Sequence, residues 1–167
     1  MLNKKVSDLL NVQINKEMFS AYLYLDIANY YTFKGLDGFA NWFTVQAKEE
    51  MDHAIFFMTY LQNNNVEVVL EAIAKPTMSY DSLKKPLEEA FKHEEYITAS
   101  INSIYEEAVN QKEYRTVQFL QWFVKEQIEE EKNSQDLIQK YDLLENVIYM
   151  LDKELALRVY MVPSLVL

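Results

Sequence analysis

Apolar residues recur alternately three and four apart along four long stretches of the chain, which predicts four amphipathic helices. The first runs from about Lys4 to Lys34 and stops at Gly35-Leu36-Asp37-Gly38, where Asp37 is expected to cap the next helix. The second runs from about Gly38 to Asn64 and ends in Asn63-Asn64-Asn65. Residues Val66 to Ser79 carry no helical period and are broken by Pro76. The third helix begins between Ser82 and Pro86, since proline is tolerated in a first turn, and reaches about Asn110. The fourth spans about Glu113 to Tyr141. A shorter helix is expected over 145–157, followed by an apolar tail over 158–167.

Connection lengths set the topology. Helices one and two are joined by about four residues, as are three and four, so each pair should be antiparallel. The middle connection, of about fifteen to seventeen residues, can span roughly 50 Å at ~3.3 Å each. A 27-residue helix is about 40 Å long, so this connection can run the full length of the bundle. The expected fold is therefore all-α: a four-helix bundle with one long crossover and a short C-terminal fifth helix, with residues 1–167 forming a single domain.

The inward stripes contain acid. Helix one reads Leu10, Ile14, Glu17, Ala21, Tyr24, Ala28, and helix two Phe43, Ala47, Glu50, His53 or Ala54, Phe57, Leu61. Helix three reads Leu87, Ala90 or Phe91, Glu94, Ile97, Ile101, Ile104, Ala108. Helix four reads Leu120, Phe123, Gln127, Glu130, Ser134, Leu137, Tyr141. All these polar positions fall at mid-height of their helices, so they meet at one level whichever way each helix points. An unpaired buried carboxylate costs several kcal/mol or titrates to neutrality. Glu17, Glu50, Glu94 and Glu130 together carry four negative charges when ionised, which two divalent cations neutralise. His53 and Gln127 would complete the two coordination shells. Taken singly each feature is weak: one inward Glu snorkels to solvent in many helices, and Glu50-x-x-His53 arises readily by chance. His93 has no partner at ligand spacing and reads as a surface residue or one behind the ligands.

Composition narrows the chemistry. The chain has 167 residues, only 2 Gly and 3 Pro, and no Cys. Scarce turn formers favour long helices over sheets. Without Cys there are no disulfides, thiolate zinc sites, Cys-ligated iron–sulfur clusters or thiol nucleophiles. A formal charge of −10 disfavours nucleic acid and anionic lipid as partners and suits cation handling. The start, MLNKKVSDLL, has no apolar leader core, and no apolar run approaches ~18 residues, so a cytoplasmic protein is expected.

One Glu on the first helix, Glu-x-x-His on the second, Glu on the third and a polar pair on the fourth resembles the ferritin-like di-iron arrangement. Helix four departs from its two-motif form, because it offers Gln127-x-x-Glu130 and no His. With the run Gln121-Trp122-Phe123-Val124-Lys125-Glu126-Gln127-Ile128-Glu129-Glu130-Glu131, this departure is similar to the bacterial non-haem ferritins. Asn15-Lys16-Glu17, Glu49-Glu50-Met51-Asp52-His53 and Lys92-His93-Glu94-Glu95 carry the same resemblance, which covers nearly the whole chain.

The resemblance implies a first iron site at Glu17, Glu50 and His53. It implies a second at Glu50, Glu94 and Glu130, with Gln127 near the bound oxygen and Glu50 bridging. It implies a third site nearby at Glu49, Glu126, Glu129 and Glu130. Tyr24 matches the aromatic beside the family's centre, where it can hydrogen-bond a ligand and supply an electron; Trp122 is a weaker candidate for that role, and a purely structural core tyrosine is an equal reading of Tyr24. The implied function is iron storage with ferroxidase activity, in which Fe(II) gives electrons to O2 and the ferric product grows as a hydrated oxide inside a hollow shell. The implied assembly is a homo-oligomer of 24 copies, without haem. The apolar tail favours association by itself, since a monomer exposing it would aggregate, but it is not the family's usual polar ending. Alternatives are a haem-containing bacterioferritin, a mini-ferritin, a di-manganese or di-iron oxygenase, and a metal-free acidic helical interaction protein.

Overall fold

The structure, a computed structural model, describes residues 2–77 and 79–165. Met78 and the last two residues of the expected tail lie outside the described residues, as does Met1. The helices are α1 (Lys4–Phe33), α2 (Asp37–Asn63), α3 (Lys85–Asn110), α4 (Tyr114–Leu144) and α5 (Ile148–Leu155), with no strand among the described residues. α1 ends where Gly35 turns the backbone to φ +74°, and the Leu36 amide donates back to the Tyr31 carbonyl at 3.0 Å.

The crossover, residues 64–84, lies along α1 in the α1 direction. Asn11 accepts from the Val69 amide at 2.9 Å, Tyr80 donates to Asp26 at 3.1 Å, and Tyr31 donates to the Leu83 carbonyl at 2.6 Å. These ties return the chain to the α1 C-terminus, so α3 runs parallel to α2, as the length of the connection predicts. The connection is longer than the periodicity suggests because α3 starts late in the expected window, at Lys85.

Two expectations change. Asp37 does not cap α2: Leu36 occupies that position and makes no side-chain bond. The cap comes from α5, where Asp152 Oδ1 accepts from the Gly38 amide at 2.8 Å and the Phe39 amide at 3.1 Å. Gly38 permits this approach, since a Cβ there would lie 1.7 Å from the Asp152 carbonyl oxygen. The terminal helix is also shorter than 145–157: α4 continues to Leu144, a 3₁₀ turn takes Glu145–Val147, and α5 stops at Leu155.

The core consists of two apolar clusters. One gathers Leu10, Ile14, Phe57, Ile97, Ile101, Leu120 and Phe123; the other gathers Tyr24, Ile27, Tyr31, Phe39, Phe43, Leu87 and Leu137. On every bundle helix the predicted acid falls between them: Glu17 after Ile14, Glu50 after Ala47, Glu94 before Ile97, and Gln127 and Glu130 after Phe123. Ala90, and not Phe91, takes the inward position on α3.

Candidate metal centre

All four helices deliver a polar side chain into that layer, and each is cut off from solvent. Glu17 is 0% exposed, Glu50, His53 and Glu94 are each 1%, and Gln127 and Glu130 are each 3%. Glu17, Glu50 and His53 bring ligand atoms within 4.8 Å of one another, and so do Glu50, Glu94 and Glu130. Glu50 belongs to both triads. The arrangement is two adjacent three-ligand pockets sharing one carboxylate, the layout a bridged pair of cations needs.

Hydrogen bonds aim the outer ligands. Gln13 Nε2 donates to Glu17 Oε1 at 2.7 Å, and is itself held by Ser100, whose hydroxyl donates to Gln13 Oε1 at 2.6 Å. Gln46 Nε2 donates to Glu130 Oε2 at 2.8 Å. Gln127 Nε2 donates to Glu94 Oε2 at 3.1 Å, with Thr98 Oγ1 at 3.2 Å, and the Tyr24 hydroxyl donates to Glu94 Oε1. Each bond leaves the carboxylate fewer orientations, the usual task of groups behind metal ligands. Trp122 and Phe123 meet the His53 ring edge-on, at 5.5 and 5.8 Å between centroids.

The inner face of the layer is unsatisfied. Glu17 Oε2, Glu50 Oε1 and His53 Nε2 are buried with no hydrogen-bond partner. Three orphaned atoms in one spot are costly for a protein alone and are the donor set a hard or borderline cation takes. The electrostatics agree. Burial pushes the Glu17 and Glu50 carboxyls above the ordinary range, Glu50 further because of the charges of Glu94 and Glu17. Burial likewise raises Glu94 to about 7, against the bonds from Tyr24 and Gln127. Glu130 rises to about 8 through burial and the charge of Glu94. Such a cluster holds protons until cations replace them. Burial, then Glu94, keeps the Tyr24 phenol well above its usual value, so its proton stays available to donate.

Glu49, Glu126 and Glu129 stand apart from both triads. They line a separate cavity of about 410 Å³ on the α2–α4 side, and among the described residues no three of their ligand atoms gather as the two triads do. His93 is not on the surface: it is 8% exposed, its Nε2 lies 2.7 Å from Ser20 Oγ, and burial lowers it to about 4. Its place is behind the centre, against Tyr24. Sequence reasoning passed over Gln13, Gln46 and Thr98. Gln13 carried a signal, since it lies four residues before Glu17, the inward carboxylate it bonds.

Four helices, one long crossover and a shared-carboxylate double pocket define a ferritin-like protein. Comparison with known families agrees, because residues 7–144 match the ferritin-like domain, and the chain belongs to that family. It is 39% identical over 156 residues to a bacterial non-heme ferritin of Campylobacter jejuni, covering 92% of this chain and 93% of that one. It is 37% identical to a probable bacterial non-heme ferritin-like protein of Haemophilus influenzae, covering 93% and 96%. Among solved structures, a closed form of the Archaeoglobus fulgidus ferritin made by mutagenesis superposes with a TM-score of 0.94 at 38% identity, covering 96% of this chain and 100% of that one. The family stores iron and has ferroxidase activity, and the resemblance read from the motifs holds.

Proposed function

We infer that this chain is a ferroxidase subunit of a cytoplasmic iron-storing shell, with 1–167 as one ferritin-like domain. The observation that carries the reading is the double pocket: two buried triads joined at Glu50, with three unpartnered ligand atoms facing inward. Fe(II) is the substrate. One ion is taken by Glu17, Glu50 and His53, and the other by Glu50, Glu94 and Glu130. Each ion displaces carboxyl protons as it binds. Gln127 lies over the Glu94 side, where its amide can donate to oxygen bound between the ions, and Tyr24 holds Glu94 in place. Each ferrous pair gives two electrons to O2. Carboxylate oxygens are hard ligands that favour the ferric product and so assist the loss of electrons. The product passes to the interior of a homo-oligomer of 24 copies and accumulates as hydrated ferric oxide. A subunit charge of −10 makes that interior attractive to cations.

Oxygen uptake tests this. Adding two Fe(II) per subunit to the metal-free protein is expected to consume O2 far faster than buffer alone, and the iron should elute with an assembly of 24 chains of 19.8 kDa. Uptake no faster than buffer, from a correctly folded sample, overturns the ferroxidase reading.

A further inference from the structure

The described part of the apolar tail, residues 158–165, does not project from the fold. After α5 it lies along the α2–α4 face as an extended arm and is fastened at several points. Asn41 Nδ2 donates to the Leu155 carbonyl at 3.2 Å and the Arg158 carbonyl at 3.0 Å. The Arg158 guanidinium bonds Glu49 Oε2 at 2.7 Å while lying 4.1 Å over the Trp42 ring. The Tyr160 hydroxyl donates to Asp52, and Leu165 packs against the apolar cluster nearer the α2 C-terminus. The arm thus follows α2 from near its start to beyond the middle.

What lies beneath the arm matters. The 410 Å³ cavity has Glu49, Glu126 and Glu129 on one wall and the arm from Arg158 to Ser164 on the other. Glu49 and Glu129 each lie one residue from a triad ligand, and the charge of Glu49 reaches Glu130, so this acidic wall neighbours the double pocket. The pocket over the α1–α3 side is different, lined by Lys16, His93 and Tyr96 with no carboxylate. A cation crossing between the centre and the bulk therefore meets its acidic path on the α2–α4 side, under the arm. That path already holds a cation: the side chains of Arg158 and Glu49 are only 17% and 19% exposed, and an arginine stays charged at every working pH.

We propose that the arm is a latch on this path, with Arg158 the resident cation on Glu49 that iron leaving the di-iron centre must displace. The proposal rests on the ferroxidase reading above. Ferric iron is small and highly charged, and the cavity has the volume of several waters, so a hydrated ion fits once the guanidinium swings away. Unlatching costs the ion pair and the stacking on Trp42 together, so it slows the emptying of the centre and its readiness for the next pair of ferrous ions. Val159, Met161 and Val162 are 76–78% exposed, so little apolar burial holds the arm down between its polar ties.

The test uses the assembled shell of wild type, Arg158→Gln and Arg158→Lys, each checked for size. Two Fe(II) per subunit are added, and a second equal addition follows after increasing delays. The recovery of the fast phase is expected to be about three- to fivefold quicker in Arg158→Gln, the change that loss of one largely buried ion pair makes in the latched population. Arg158→Lys, which keeps the charge but loses the stacking on Trp42, should recover at a rate between wild type and Arg158→Gln. Terbium(III), which is not oxidised, gives a second readout: Arg158→Gln should bind one more ion per subunit than wild type at equal concentration. Unchanged recovery in Arg158→Gln overturns the latch whatever the terbium count, and so does equal acceleration in Arg158→Lys. A failed ferroxidase reading is distinguishable, because wild type would then show no fast phase on the first addition.

Discussion

Glu50→Gln is expected to abolish rapid ferrous oxidation and at the same time to stabilise the metal-free protein. Glu50 is the one carboxylate in both triads, so an amide there weakens both pockets at once. Groups that merely orient a metal ligand are worth 10–100-fold, so losing the shared ligand should slow oxygen uptake by about 100-fold or more. Stability moves the other way. Glu50 is 1% exposed, one of its oxygens has no partner, and Glu94, Glu17 and Glu130 all oppose its charge. A neutral side chain of equal size removes that repulsion and should add about 1–3 kcal/mol to the metal-free fold at pH 8. Denaturant midpoints beside initial uptake rates check both halves. Unchanged uptake, or a destabilised fold at pH 8, contradicts a shared, repelled carboxylate. The opposed signs are what a functional site held against the preference of the fold should show.

The second large effect is in pH. Carboxyls titrate near 4.3 in the unfolded chain, whereas burial raises Glu94 to about 7 and Glu130 to about 8 in the fold, and raises Glu17 and Glu50 as well. Between those values the folded protein holds protons that the unfolded chain has released. Stability of the metal-free protein is therefore full below about pH 4.5, as far as these groups go, and falls as pH rises through about 8. The loss over that window is of order several kcal/mol per subunit, since each tenfold difference in proton affinity between fold and unfolded chain is worth about 1.4 kcal/mol. Zinc(II), which fills the pockets without redox chemistry, should flatten the curve and release protons as it binds. Unfolding of the metal-free protein at pH 5.5, 7 and 8, with and without zinc, reads this directly. A metal-free protein that grows more stable across that range would contradict the buried-carboxylate picture.

Much of this architecture was legible in the sequence because it depends on local spacing. Apolar residues three and four apart set each inward stripe, and the mid-height position of Glu17, Glu50, Glu94 and the Gln127–Glu130 pair follows from counting along helices. The topology followed from the length of one connection. What the sequence hid depends on which helices approach which. Asp152 caps α2 only because Gly38 lets α5 come close, whereas Asp37, the local candidate, makes no capping bond. His93 looked solitary because its partner, Ser20, is on another helix. Gln46 lies one turn before Glu50 yet serves Glu130 across the bundle, a pairing no periodicity announces. The apolar tail read as a surface seeking another subunit. Its first part is tied to its own α2–α4 face through Arg158 and Tyr160, while Val159, Met161 and Val162 stay exposed, as a surface meant for another subunit would be.

The ferroxidase reading depends on two iron ions sharing Glu50. Anomalous diffraction at the iron edge, from crystals loaded with Fe(II) without oxygen, locates them. Two peaks are expected in each subunit about 3.5–4 Å apart, one among Glu17, Glu50 and His53 and the other among Glu50, Glu94 and Glu130. A single peak away from Glu50, or iron found only on the subunit surface, would contradict the shared centre.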